Sequence, residues 1–154
     1  MKNRISANDT EIVIVVSEFN KEIIENLLKG ALKAFYHYNG NKENIRIFKV
    51  PGALEIPGTI KRVLKHYKPN AVIAIGAVIR GETPHFNFVA HNSAKAITEI
   101  SCNTEIPIIN AILTTENAEQ ARERSKDNID NKGWVAIESA LQTIAVYKEI
   151  NSAL

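Results

Sequence analysis

The stretch AVIAIGAVIRGETPHFNF, residues 71–88, changes character halfway along. Residues 71–79 are all small or β-branched and apolar, as strands buried on both faces are. Arg80, Gly81, Glu82, Thr83, Pro84 and His85 follow at once. A segment suited to burial thus hands over to groups that need water or a ligand. Thr83 before Pro84 predicts an N-cap and a proline in the first turn of a helix that runs to about Ile100. The stretch reads as a buried strand that emerges at an edge and turns into a helix.

Working outward, three more apolar runs appear: IVIVV (12–16), IRIFKV (45–50) and IPIINAILT (106–114). The first, like 71–79, is continuous in β-branched residues, so both are expected to be buried on two faces. Helical patterns lie between the runs. In residues 20–40, Ile23, Ile24, Leu27, Leu28, Ala31, Leu32 and Phe35 recur at spacings of three and four, and Asn39-Gly40 supplies a stop. GTIKRVLKHY (58–67) is a shorter helix ended by Pro69, and ENAEQARERS (116–125) and GWVAIESALQTIAVYKEI (133–150) make the last two. Strand-helix alternation of this kind means parallel strands joined by right-handed crossovers. The predicted fold is α/β: a three-layer α/β/α sandwich on a four-stranded parallel sheet, flavodoxin-like. With no repeat, linker or low-complexity segment, residues 1–154 form one domain, residues 1–10 being expected as a flexible N-terminal arm.

The totals narrow the function classes. A chain of 154 residues can bury one ordinary core. Its net charge of +2 comes from Lys and Arg scattered among nearly as many acids, which leaves no footprint for nucleic acid. No apolar stretch approaches the ~20 residues that span a bilayer, and MKNRISANDTE has no apolar core of the signal-peptide kind. Cys102 is the single cysteine, which excludes an internal disulfide or a Cys-based zinc site and reads as a small buried residue. A cytoplasmic protein is expected.

In open parallel sheets, ligands sit outside the carboxyl ends of the strands. Those ends are SEFN (17–20), PGALEIPG (51–58), RGETPH (80–85) and TTEN (114–117). In RGETPH, Gly81 permits a tight turn, and the N–H groups after it lie at a helix N-terminus, an anion site strengthened by the helix dipole. His85 stands in the first turn, where the dipole favours a neutral ring able to accept or pass a proton. His37, His66 and His91 read as surface histidines, and no second His stands at metal-ligand spacing to His85. PGALEIPG has a constrained backbone that can offer N–H and C=O groups to a planar ring. Glu55 is then a polar contact or a solvated loop carboxylate, and Phe19 a stacking ring or a lid over the core. Arg122 and Arg124 read by pattern alone as a solvated helix face. No G-x-G-x-x-G, G-x-x-x-x-G-K-[ST] or G-x-S-x-G is present, so dinucleotide, nucleoside triphosphate and nucleophile-elbow chemistries lose support.

Together these residues resemble the 6,7-dimethyl-8-ribityllumazine synthase family, also called the riboflavin synthase beta-chain family. The likeness runs from about Ile12 to Tyr147. It rests on FN after the first strand, PGALEIP, GAVIRGETPHF, LTTENAEQARER and NKG, of which GAVIRGETPHF is the most specific. It implies a transferase of riboflavin biosynthesis that condenses 5-amino-6-(D-ribitylamino)uracil with 3,4-dihydroxy-2-butanone 4-phosphate, without cofactor or metal. It implies that Phe19 stacks on the pyrimidine, that Ala53, Leu54 and Glu55 hold the ribityl chain and ring edge, and that Ala77, Val78 and Ile79 lie along the ring. It further implies that Glu82 and Thr83 bind the butanone phosphate, that His85 transfers protons, that Arg124 binds phosphate and that Lys132 stands near the same site. Asn110 stands where the family often has an aromatic, and Ala111 where it has glycine, so Asn110 approaches the ring by hydrogen bond. The segment after Arg124, often glycine-rich, reads SKDNID here. The resemblance also implies a pentamer, or twelve pentamers in a shell, with sites shared between neighbouring subunits, and it admits riboflavin synthase as a partner. The alternative is a non-catalytic flavin- or lumazine-binding or shell-forming relative, which would need neither His85 nor Arg124.

Overall fold

Four strands form one parallel sheet in a computed structural model that describes residues 5–153: β1 (Ile12–Ser17), β2 (Ile45–Val50), β3 (Ala71–Ile79) and β4 (Ile108–Thr115). Their order is β2-β1-β3-β4, all neighbours parallel, with Val15 opposite Phe48 and Ala74, and Val78 opposite Thr114. The two runs that read as buried on both faces are the two central strands. Every residue of β1 is buried, and so are the first seven of β3, whereas the edge strands β2 and β4 are only partly covered.

Side chains of β1 alternate across the sheet, as a period of two requires. Ile12, Ile14 and Val16 face a core shared with α1 (Lys21–His37) and α5 (Lys132–Ser152), while Val13 and Val15 face α2 (Ile56–His66) and α3 (His85–Cys102). The result is the three-layer α/β/α sandwich. A short helix, α4 (Ala118–Glu123), follows β4 and buries Ala121 against the first core. Phe35, Leu27 and Ala31, all without exposure, carry the apolar stripe of α1, and Leu28 and Leu32 flank it half-buried.

Two expectations are corrected, the burial of Cys102 and the capping role of Thr83. Cys102 is exposed at the last turn of α3 rather than buried, because it falls off the face that Val89, Ser93 and Ile97 present to the sheet. Thr83 does not cap α3: Pro84 occupies the cap position with φ −69° and ψ 2°, and its carbonyl accepts from the N–H groups of Asn87 and Phe88. Gly81 has no positive φ, and a Cβ there would meet nothing within 4 Å, so the turn itself does not call for glycine. Of the expected N-terminal arm, residues 1–4 lie outside the described residues. Ala7, further along, is buried and donates its N–H to the Tyr38 carbonyl at 2.7 Å, so this part packs against the end of α1.

Candidate active site

The carboxyl ends of β1 and β3 and the constrained loop after β2 enclose a cavity of about 440 Å³. That volume lies in the range of small-molecule sites, at the sheet edge where such folds hold ligands. Each wall follows from a local device. Beyond β1 the chain must reverse into α1, and Asn20 makes the turn in the left-handed region with φ 64° and ψ 56°. Asparagine is one of the few side chains that tolerate that conformation. Its amide donates to the Ala77 carbonyl at 2.9 Å, and Phe19 is left at the cavity with 70% of its surface exposed.

The second wall is PGALEIP. Gly52 is extended, Ala53–Glu55 form one 3-10 turn that leads straight into α2, and the Glu55 N–H donates to the Gly52 carbonyl at 3.2 Å. Ala53 is buried, while Leu54 and Glu55 are exposed at the cavity. A Cβ on Gly52 would come within 3.0 Å of Glu55 Oε2, so the small residue leaves that carboxylate room to lie over the loop. Ala77, Val78 and Ile79, the last residues of β3, form the floor.

The third wall is the turn from β3 into α3, which contributes Gly81, Thr83, His85, Phe86 and Val89. Arg80 anchors its stem: its N–H donates to the Thr115 carbonyl at 2.9 Å, its Nε to Glu116 Oε2 at 2.7 Å, and its guanidinium lies 4.4 Å from the centroid of Phe86. Among the described residues the backbone N–H groups of Gly81, Glu82, Thr83, His85 and Phe86 find no acceptor. An 18-residue helix thus begins with a set of free donors beside the cavity, which suits an anion by hydrogen bonding and by the dipole. His85 is exposed in the same turn, its ring 6.4 Å from and nearly parallel to that of Phe88. Among the described residues no group of three His, Cys, Asp or Glu could hold a metal ion.

Nine of the residues singled out from sequence therefore line one cavity: Phe19, Ala53, Leu54, Glu55, Ala77, Val78, Ile79, Thr83 and His85. Four do not. Glu82 lies in the turn but not at the cavity, and Asn110, Arg124 and Lys132 are exposed elsewhere on the chain. Asn110 is opposite Ala74 in the edge strand β4, its Oδ1 accepting from the Ile112 N–H at 3.0 Å. Arg124 ends α4, and Lys132 opens α5. Asn20, Phe86 and Val89 line the cavity without having been assigned a role. Asn20 carried a signal, an asparagine at a strand-to-helix turn, whereas Phe86 and Val89 depend on which face of α3 meets the sheet.

The model of the family described as 6,7-dimethyl-8-ribityllumazine synthase matches residues 9–148. The chain belongs to the 6,7-dimethyl-8-ribityllumazine synthase family. Curated members agree over nearly full length. A 6,7-dimethyl-8-ribityllumazine synthase from Chloroherpeton thalassium is 40% identical over 150 residues, covering 97% of each chain. Proteins of the same name from Chlorobium limicola and Chlorobium phaeovibrioides are 38% and 42% identical, covering 97% and 92% of this chain and 96% and 92% of their own. The four-stranded order and the helices on both faces of the sheet give this lumazine synthase family member a flavodoxin-like architecture.

Proposed function

We propose that the chain makes 6,7-dimethyl-8-ribityllumazine by condensing 5-amino-6-(D-ribitylamino)uracil with 3,4-dihydroxy-2-butanone 4-phosphate, releasing phosphate and water. The observation that carries this reading is the pairing, around one cavity, of an apolar slot for a planar ring with a donor-rich helix start. The exposed Phe19 ring is free to stack on the pyrimidine, the 53–55 turn offers backbone and carboxylate groups to the ribityl chain, and Ala77–Ile79 lie along the ring. The free N–H groups of the 81–86 turn, with Thr83, receive the butanone phosphate. Amine attack on the ketone, imine formation, phosphate loss and ring closure all move protons, and the relay is assigned to His85, which lines the same cavity. The protein's other contribution is to hold two substrates together, which can lower the barrier by about 7–11 kcal/mol.

Asn110, Arg124 and Lys132 enter the same reading through a neighbouring copy, Arg124 and Lys132 as groups for the butanone phosphate, whereas Glu82 enters it through the 81–86 turn of its own chain. Within one chain they lie off the cavity, and the exposed apolar residues Phe88, Ile129, Val146 and Ile150 together with the partly covered edge strand β4 supply surface for association. We therefore take the working form as a pentamer whose sites are shared between neighbours, the Phe19–His85 cavity of one copy facing Asn110 and Arg124 of the next. Without an insertion between Arg124 and Lys132 we favour twelve pentamers in a shell, in the cytoplasm, with riboflavin synthase as a candidate partner. Incubation with both substrates, following lumazine absorbance and released phosphate, tests the reaction. Active monomers in sedimentation at working concentration would remove the shared site while leaving the reaction standing.

A further inference from the structure

The segment SKDNID between Arg124 and Asn131 contains no glycine, yet it returns the chain so closely that the Lys132 N–H donates to the Arg124 carbonyl at 2.8 Å. One side chain holds that closure. Asn131, 1% exposed, donates through Nδ2 to the carbonyls of Asn26 at 3.2 Å, Ser125 at 3.0 Å and Lys126 at 3.0 Å. Its Oδ1 accepts from the N–H groups of Gly133 at 2.8 Å and Trp134 at 3.2 Å, capping α5. Only a short amide can do both: a carboxylate keeps the cap but cannot donate, and a hydroxyl is too small to reach three carbonyls. The surrounding glycines make the room. A Cβ on Gly30 would stand 2.2 Å from Asn131 Oδ1, and one on Gly133 1.9 Å from the Leu27 carbonyl oxygen.

The charges around the loop are arranged to the same effect. Asp127 pairs with Lys33 at 2.6 Å, and Glu123 with Lys126 at 2.7 Å. Among the described residues neither Arg124 nor Lys132 has an ion-pair partner, and the Arg124 guanidinium only donates to the Gln120 carbonyl at 3.1 Å. The first N–H groups of α5 are all engaged, those of Lys132, Gly133, Trp134 and Val135 by Arg124 and Asn131. An anion arriving here must therefore be met by the two cationic side chains and not by the helix start. We infer that Asn131 is a positioning residue that fixes the spacing of Arg124 and Lys132 as one phosphate-binding pair. The inference rests on the reading that Arg124 binds the butanone phosphate with Lys132 near the same site.

The test replaces Asn131 by Asp, which keeps the cap oxygens but turns a carboxylate toward three carbonyls, and by Ser, which keeps a cap oxygen without charge. Kinetics on the assembled protein, inhibition by inorganic phosphate and binding of a ribityl-pyrimidine analogue are measured well below the melting temperature. Both variants are expected to raise KM for the butanone phosphate and the inhibition constant of inorganic phosphate by about 10- to 100-fold, as displaced binding groups do. Analogue affinity and kcat should change far less, a split that general loosening of the fold does not produce. Arg124→Ala is the control. If it weakens phosphate binding and neither Asn131 variant does, the positioning role is overturned. If Arg124→Ala has no effect on phosphate, the phosphate reading itself fails. If neither Asn131 variant folds, Asn131 serves the fold alone and the proposal is overturned.

Discussion

The Asn20 side chain donates to the Ala77 carbonyl at 2.9 Å, joining the end of β1 to the end of β3 where both line the cavity. The bond and the left-handed backbone at Asn20 act together, because the turn aims the amide and also sets Phe19 over the site. Two substitutions separate them. Asn20→Gly keeps the conformation and loses the bond, and a lost hydrogen bond costs about 0.5–1.5 kcal/mol. Asn20→Ala also strains a residue at positive φ, which adds about 1–2 kcal/mol. Urea unfolding should therefore rank the wild type above Gly and Gly above Ala, with weaker binding of a ribityl-pyrimidine analogue in both. Equal stability of the Gly and Ala variants would show that the backbone at residue 20 carries no strain.

Much of this was legible in the sequence because the signals were local. Asn39-Gly40 read as a helix stop, and in the structure Asn39 takes φ 68° while the N–H groups of Asn39 and Gly40 donate back to the Tyr36 and Phe35 carbonyls. The division of labour was not legible. Asparagine supplies the left-handed residue, and Gly40 is there because a Cβ would strike the Phe35 ring at 2.5 Å. The continuous apolar runs 12–16 and 71–79 identified the two central strands, since only strands covered on both faces need no alternation. The start of α3 differs from the sequence reading because a Thr-Pro pair fits two starts one residue apart, and the helix takes the later one, with Pro84 at the cap. Asn131 gave no local hint beyond its place before a helix, as three of its partners are carbonyls brought in by the loop and by α1.

Arg124 and Arg122 stand on one short helix end, and only the first should matter to substrate. Arg124→Ala should raise KM for the butanone phosphate roughly 10- to 100-fold, the worth of a charge-assisted bond, with pyrimidine-analogue binding nearly unchanged. Arg122→Ala, an exposed change, should leave the kinetics alone and alter stability by no more than about 0.5 kcal/mol. Steady-state kinetics with each substrate varied in turn checks both, and equal damage from the two would assign them to folding.

Tyr38 closes α1 against α5 by donating its hydroxyl to Glu138 Oε2 at 2.5 Å. That bond, then burial, then the charge of Glu138 push the phenol up from 10.0 to about 12. The folded state thus favours the protonated phenol more than the unfolded chain does. This contribution to stability is fully present below about pH 10 and is lost as pH rises from there through about 12. Unfolding midpoints measured in steps from pH 9 to 11.5 should fall more steeply for the wild type than for Tyr38→Phe. Parallel curves would mean that the phenol does not titrate differently on folding.

His85 offers the most direct test of the chemistry. It is exposed in the first turn of α3, within the set of N–H donors that find no acceptor and beside the apolar floor of the cavity. A proton relay there acts on the transition state, so removing it should lower kcat and leave ground-state binding nearly intact. His85→Ala is expected to slow turnover by about 10- to 10⁴-fold, the upper part being the ordinary loss of general acid–base catalysis and the lower part reflecting relay by phosphate or water. The variant should still assemble and bind a ribityl-pyrimidine analogue with affinity close to that of the wild type. His85→Asn, which keeps a hydrogen-bonding group without a titrating ring, should be nearly as slow as His85→Ala. Full turnover in either variant across the pH range would reduce His85 to a helix-start residue and transfer the proton steps to the substrates and solvent.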